Sequence, residues 1–214
     1  MFVSTTRLAV AAGMILMVAA CAPPAKPASD PRVDAVIERS RTTRATYAVY
    51  AWVRVERPNE GAMEEWSTEF HSGDKHRVET PADRVVADCA TGTGKTLTIA
   101  TGEILAGPEY ARAACGVNSN RPILEKAYVG SRGTPTGRVD RIRLTDAGLI
   151  RIYDIDQNGV IVGTTFKLRH ENNRTVLSML KVVVEGDLPA TDIFDHASLQ
   201  RSVVPDRYKV APKS

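Results

Sequence analysis

Thr46-Tyr47-Ala48-Val49-Tyr50-Ala51-Trp52-Val53-Arg54-Val55 repeats with a period of two, the side-chain period of a β-strand. Tyr47, Val49, Ala51, Val53 and Val55 project one way, and Ala48, Tyr50 and Trp52 the other. Both faces therefore carry apolar bulk, whereas an antiparallel strand with one face in water shows polar residues at alternate positions. The second apolar face needs either core contacts against helices or a hollow that it can line.

Outward from this strand the same period recurs. Trp66, Thr68 and Phe70 alternate with Glu65, Ser67 and Glu69, and short apolar runs follow at His76–Thr80, Val85–Asp88 and Thr96–Thr101. After a middle stretch, strands are expected again at Val139–Leu144, Ile150–Asp156, Val160–His170 and Val176–Glu185. Asn158-Gly159 between two such runs is a hairpin signal, because a type I′ turn needs positive φ at both central residues. Helices are expected in three places. Asp30-Pro31 supplies a cap and a proline at the first helical position for a helix to about Arg44, with Val33, Val36 and Ile37 on one face. Gly107-Pro108 opens a helical turn through Ala114 with Gly116 as its stop, and Ile123–Tyr128 suggests another. Gly130–Gly137 reads as a loop. Connections this short join antiparallel neighbours. The expected fold class is α+β, mostly β: one large curved antiparallel sheet, a half-barrel, with a few helices on its concave face.

The N-terminus carries a different kind of information. One cation, Arg7, is followed by the uncharged run Leu8–Ala20, and Ala22-Pro23-Pro24 would break a continuing helix. The run is shorter than the roughly 20 apolar residues of a membrane-spanning helix. It therefore reads as an export signal. Val18-Ala19-Ala20-Cys21 resembles the bacterial lipobox, which implies cleavage before Cys21 and lipid attachment to its thiol. Because Ala22 is not the aspartate that retains enteric lipoproteins in the inner membrane, the same resemblance implies the outer membrane, facing the periplasm. The expected organisation is a signal peptide at 1–20, a lipidated cysteine and Pro/Ala tether at 21–31, a single domain at 32–208 and a tail at 209–214.

Loss of residues 1–20 removes only Arg7, leaving 27 Lys and Arg against 25 Asp and Glu, and no basic block suggests a nucleic-acid partner. Two cysteines remain, Cys89 and Cys115, and an oxidising envelope makes a disulfide between them the natural pairing, two separately buried thiols being the alternative.

Motifs that carry chemistry are tested one by one. Gly-Thr-Gly-Lys-Thr at 92–96 lacks the leading glycine of a P-loop, because Cys89 stands there, and it precedes a strand instead of a helix. Asp154, Asp156, Asn158 and Gly159 match the first half of a calcium loop, but its twelfth position is Thr165. His71 and His76 flank a tight turn and are read as solvated, no third ligand having a matching spacing for zinc. Asp195, His196 and Ser198 have the residue types of a hydrolytic triad without the separate elements or the elbow that a triad needs. No catalytic residue, metal or cofactor is therefore expected. The informative set is aromatic: Tyr47, Tyr50, Trp52, Trp66 and Phe70 as candidate lining of an apolar cavity.

The order of elements, the paired stretches Lys75-His76-Arg77-Val78-Glu79-Thr80-Pro81 and Val85-Val86-Ala87-Asp88, and the ending Leu188-Pro189-Ala190-Thr191-Asp192-Ile193-Phe194-Asp195 resemble the LolA/LolB-like lipoprotein carrier superfamily. Periplasmic sensors of the RseB type share that architecture. The resemblance implies an incomplete barrel capped by helices, with a lipid or an acylated protein as ligand in its hollow and no catalysis. The chain differs from the soluble carrier by its lipobox, and from the membrane-bound receptor by lacking an exposed apolar loop between its early strands. An alternative use of the same sheet is a structural module that binds an envelope protein partner.

Overall fold

The computed structural model describes residues 30–57, 60–117, 121–134, 137–190 and 192–211. The signal, Cys21 and most of the tether lie outside the described residues. No helix among the described residues is long and apolar enough to cross a membrane.

The chain opens with α1 (Pro31–Thr42), whose first turn is closed by the Asp30 carboxylate accepting from the Arg32 amide at 2.9 Å. Six strands follow: β1 (Tyr47–Arg57), β2 (Gly61–Ser72), β3 (Lys75–Glu79), β4 (Asp83–Asp88), β5 (Thr93–Thr98) and β6 (Glu103–Ala106). After α2 (Pro108–Ala114) come β7 (Glu125–Thr134), β8 (Gly137–Thr145), β9 (Leu149–Asp156), β10 (Ile161–Leu168) and β11 (Arg174–Glu185). All eleven strands form one antiparallel sheet in the order β6-β5-β4-β3-β2-β1-β11-β10-β9-β8-β7. The sheet is open, with β6 and β7 at its ends. Three 3-10 turns, Asp192–Phe194, His196–Gln200 and Asp206–Tyr208, complete the chain.

The register explains why β1 is apolar on both sides. Val33, Val36 and Ile37 of α1 pack on Ile142, Leu144, Tyr153 and Ile155, on the face that Tyr47 and Val49 share. The other end of that face takes α2, where Ala111 and Ala114 meet Ala87. On the opposite face the C-terminal segment runs back across the sheet. Ile193 and Val204 cover Ala48, Tyr50 and Phe70, and Leu199 covers Val86 and Leu97. The expected mostly β architecture is therefore present, with a second covering that the sequence did not suggest.

Three local expectations change. Ile123–Tyr128 is not helical: from Glu125 it belongs to β7, paired with β8 apart from a register shift between Tyr128 and Gly130, and the loop expected at Gly130–Gly137 is strand up to Thr134 and again from Gly137. Cross-strand pairing overrides the weak strand propensity of Gly130 and Gly133. At Asn158-Gly159 only the glycine has positive φ, +87°, and Asp156 closes the turn by accepting from the amides of Asn158 and Val160, both at 2.8 Å. A Cβ on Gly159 would stand 2.4 Å from the Arg39 carbonyl, so this glycine also admits α1 against the sheet. The paired positive φ angles of a type I′ turn occur instead at Asn172 and Asn173, +50° and +57°, between β10 and β11.

Candidate functional site

The C-terminal segment is fastened by a charge pair that water does not reach. Arg77 and Glu79 are both wholly buried. Arg77 donates to the carbonyls of Ile193 at 2.7 Å and Arg201 at 2.8 Å and to Ser198 Oγ at 2.5 Å, and its Nε meets Glu79 Oε1 at 2.7 Å. Glu79 Oε1 also accepts the Val203 amide at 3.1 Å. A guanidinium has enough fixed donors to satisfy several carbonyls at once, which makes it suited to holding an irregular backbone.

Clamped in this way, the segment delivers Tyr208 onto the sheet. Its ring stacks on Tyr50 with centroids 3.7 Å apart and planes 11° from parallel. The Tyr208 hydroxyl donates to Glu185, and the Arg207 guanidinium lies 4.9 Å from the Tyr208 ring centre. Beside the stacked pair is a groove of about 280 Å³, walled by Tyr50, Trp52, Val183, Tyr208 and Val210 and bordered by Lys181 and Arg207. Burial and the nearby Glu185 carboxylate push the Tyr50 phenol up to about 12, so this wall stays uncharged near neutral pH. Val183 and Val210 remain exposed, at 37% and 64%. The volume is at the lower edge of small-molecule sites, roughly 300 to 1,000 Å³. It has room for one narrow apolar chain.

The five aromatic residues named from sequence do not share one surface. Tyr50 and Trp52 line the groove. Trp66, directly across from Trp52, and Phe70, across from Ala48, lie on the same face and pack into the core under the C-terminal segment. Tyr47 is on the helix-bearing face, so it cannot line a cavity with Tyr50 and Trp52. It stacks on His71, 4.9 Å between centroids, and donates to Glu69 Oε1 at 2.8 Å. His71 and His76 are cross-strand partners, 4% and 2% exposed, and so are buried where the sequence suggested a solvated turn. His76 Nε2 is 3.1 Å from Glu69, and His71 Nδ1 is 2.6 Å from the Ala45 carbonyl. Burial raises the Glu69 carboxyl, but the two histidines and the Tyr47 hydroxyl outweigh it and leave Glu69 below its ordinary range. Burial and the adjacent His76 hold His71 below the usual histidine value.

The remaining motifs have structural employment. Cys89 and Cys115 are joined as a disulfide, Cα atoms 5.6 Å apart, which ties the end of α2 to the turn after β4. The Asp154 carboxylate is held by Arg141 and Arg132. Ser198 is buried, and its hydroxyl oxygen receives Arg77 and faces the carbonyls of Ile193 and Asp195 at 2.8 and 2.6 Å, while His196 is exposed. That hydroxyl is a hinge pin of the C-terminal segment and is not presented as a nucleophile. Lys181, Val183, Tyr208 and Val210 were not foreseen from sequence. Val183 could have been found from the alternation of β11, but nothing local marks Tyr208 as a partner of Tyr50.

The fold and site together define an open-sheet protein with helices on one face, a clamped C-terminal segment on the other and an apolar groove at the segment's end. No protein-family model matches the sequence, and no curated protein sequence matches it. Solved structures of similar course include an uncharacterised conserved protein from Thermus thermophilus, 12% identical, TM-score 0.45, with 85% of this chain and 97% of that one covered. A LolA superfamily protein from Nitrosomonas europaea is 10% identical, TM-score 0.39, covering 78% and 99% of the two chains. An outer membrane lipoprotein-sorting protein domain from Vibrio parahaemolyticus is 9% identical, TM-score 0.38, covering 79% and 97%. The reading of the site rests on the groove itself.

Proposed function

We propose that the protein is an outer-membrane-anchored lipoprotein, held through Cys21, that binds a hydrophobic ligand, a lipid or the acyl group of a protein, without catalysis. The observation that carries this reading is the groove. Its walls are apolar and aromatic, and it lies open where the same face is elsewhere closed by the C-terminal segment. Burial of a chain there would contribute about 25 cal/mol per Å² removed from water. The open apolar surface does not lie in the hollow expected between sheet and helices: α1 fills its part of the helix-bearing face with Val33, Val36 and Ile37, and the groove is on the other side.

Two measurements test the reading. Native mass spectrometry of protein purified from cells should find a bound acyl species that is lost in Tyr208→Ala; ligand-free protein under all gentle preparations would refute binding. Radiolabelled fatty acid should enter the wild type and not Cys21→Ser. Equal label in Cys21→Ser would refute the anchor.

The edge strand β6 favours a second reading, a module that binds an envelope protein. All four of its residues are exposed, including Ile104 and Leu105, and its outer edge has no strand partner among the described residues. In-cell crosslinking from position 104 to a stoichiometric protein, with no lipid recovered, would favour this reading over the first.

A further inference from the structure

The groove does not end at Tyr50 and Trp52. Tyr50, Trp52, Arg54 and Glu56 follow one another on a single face of β1, and their cross-strand neighbours on β11 are Val183, Lys181 and, beyond a bulge, Ser178. The bulge falls between Trp52 and Val53 and leaves Leu180 unpaired and 49% exposed. A second depression of about 140 Å³, lined by Arg54, Glu56, Val176 and Ser178, continues the groove along the same two strands. From Tyr50 to Glu56 the furrow runs about 20 Å, at roughly 3.3 Å per residue.

Its charges are unevenly placed. Glu56 is paired with Arg174, and Glu64 accepts the Trp52 indole N–H at 3.2 Å. Arg207 is paired with Glu185 at 3.3 Å. Lys181 sits directly across from Trp52 and Arg54 two residues along the same face; both are exposed, and the carboxylate opposite Arg54 on β2, that of Glu64, is engaged by the Trp52 indole. One end of the furrow is thus apolar and aromatic, and the middle carries two exposed cations near the Trp52 ring with no ion-pair partner among the described residues.

Resting on the lipid-binding reading above, we infer that the ligand is a single-chain anionic amphiphile: its tail lies between Tyr50, Tyr208, Val183 and Val210, and its carboxylate or phosphate is met by Lys181 and Arg54. Charge complementarity selects this occupant. An uncharged chain would lack the attraction that an anionic head gains from the two exposed cations, and a free anion would leave the apolar end unused. The narrow volume admits one chain. The headgroup contact is a charge-assisted hydrogen bond, stronger than its neutral equivalent.

The test is a calorimetric titration of the chain from residue 22, which retains the whole sheet and both of its coverings. The probes are laurate, a monoacyl lysophosphatidic acid of the same chain length, lauryl alcohol and glycerol phosphate. Both anionic amphiphiles should bind about tenfold more tightly than the alcohol, and glycerol phosphate should not bind. The tighter of the two identifies the source of the head, carboxylate or phosphate. Lys181→Gln/Arg54→Gln should lose that tenfold preference, its fold checked by circular dichroism. Equal affinity for the alcohol and the anions, or a double variant with undiminished preference, would overturn the inference and leave apolar binding standing. Failure of every amphiphile to bind would instead remove the lipid-binding reading itself. Glycerol phosphate binding as tightly as the amphiphiles would overturn the assignment of the tail.

Discussion

Tyr208 lies flat on Tyr50, 3.7 Å between ring centres, so the last turn among the described residues rests on the first strand. Each ring is a wall of the groove. Stacked aromatic pairs contribute about 0.5 to 1.5 kcal/mol beyond the area they bury. Tyr208→Ala should therefore lower unfolding stability by about 1 kcal/mol in urea melts and weaken acyl binding more than Tyr208→Phe, which retains the ring. Equal ligand affinity in all three proteins would show that the stack is not part of the site.

The Arg77–Glu79 pair predicts a larger loss. Removing one member of a buried charge pair costs about 3 to 5 kcal/mol, because the other is left uncompensated. Arg77→Ala should cost that much by chemical denaturation, and limited proteolysis should then cut the chain between 192 and 208 while the sheet resists. Unaltered protease resistance of that segment would contradict the clamp described above.

The disulfide closes a loop of 27 residues, 115 − 89 + 1. A loop of this size corresponds to roughly 3 to 4 kcal/mol of stabilisation by chain entropy. Cys89→Ser/Cys115→Ser should unfold at correspondingly lower urea concentration. Since the bond also anchors α2, hydrogen exchange in residues 108–114 should accelerate more than in β9. Uniform acceleration across both would indicate a global effect only.

The buried histidine cluster predicts acid sensitivity with a definite sign. His71 has a folded value below its ordinary one, so the unfolded chain takes up its proton first and stability falls as pH drops through about 6.5. Glu69 also lies below its ordinary value, so its contribution is present above about 4.5 and is lost as pH falls further, through its folded value. Both effects act in the same direction. Melting temperature should decline from pH 7.5 to pH 5, and His71→Gln should flatten the upper part of that decline. An unchanged slope in the variant would show that His71 is not the titrating group.

The strands of this fold were legible because their apolar residues alternate, and Asp30-Pro31 marked α1 because capping and proline chemistry are local. β7 was not legible as a strand: Gly130 and Gly133 have low strand propensity, and the pairing with β8 that fixes them is not written in the segment itself. The site was half visible. Tyr50 and Trp52 stood out by alternation on β1, but which of the two apolar faces stays open depends on coverings drawn from α1, α2 and the C-terminal segment. The path of residues 192–208 across the sheet is dictated by Arg77, whose buried position no periodicity distinguishes from a surface arginine.

The C-terminal segment also imposes an order on biogenesis. A chain emerging N-terminus first exposes β1 long before Tyr208 exists to meet it, and ten strands must be made before the far wall of the groove can form. Until Tyr208 has been made, the face of Tyr50 that it covers is bare. The far wall of the groove is therefore the last part of this face to form.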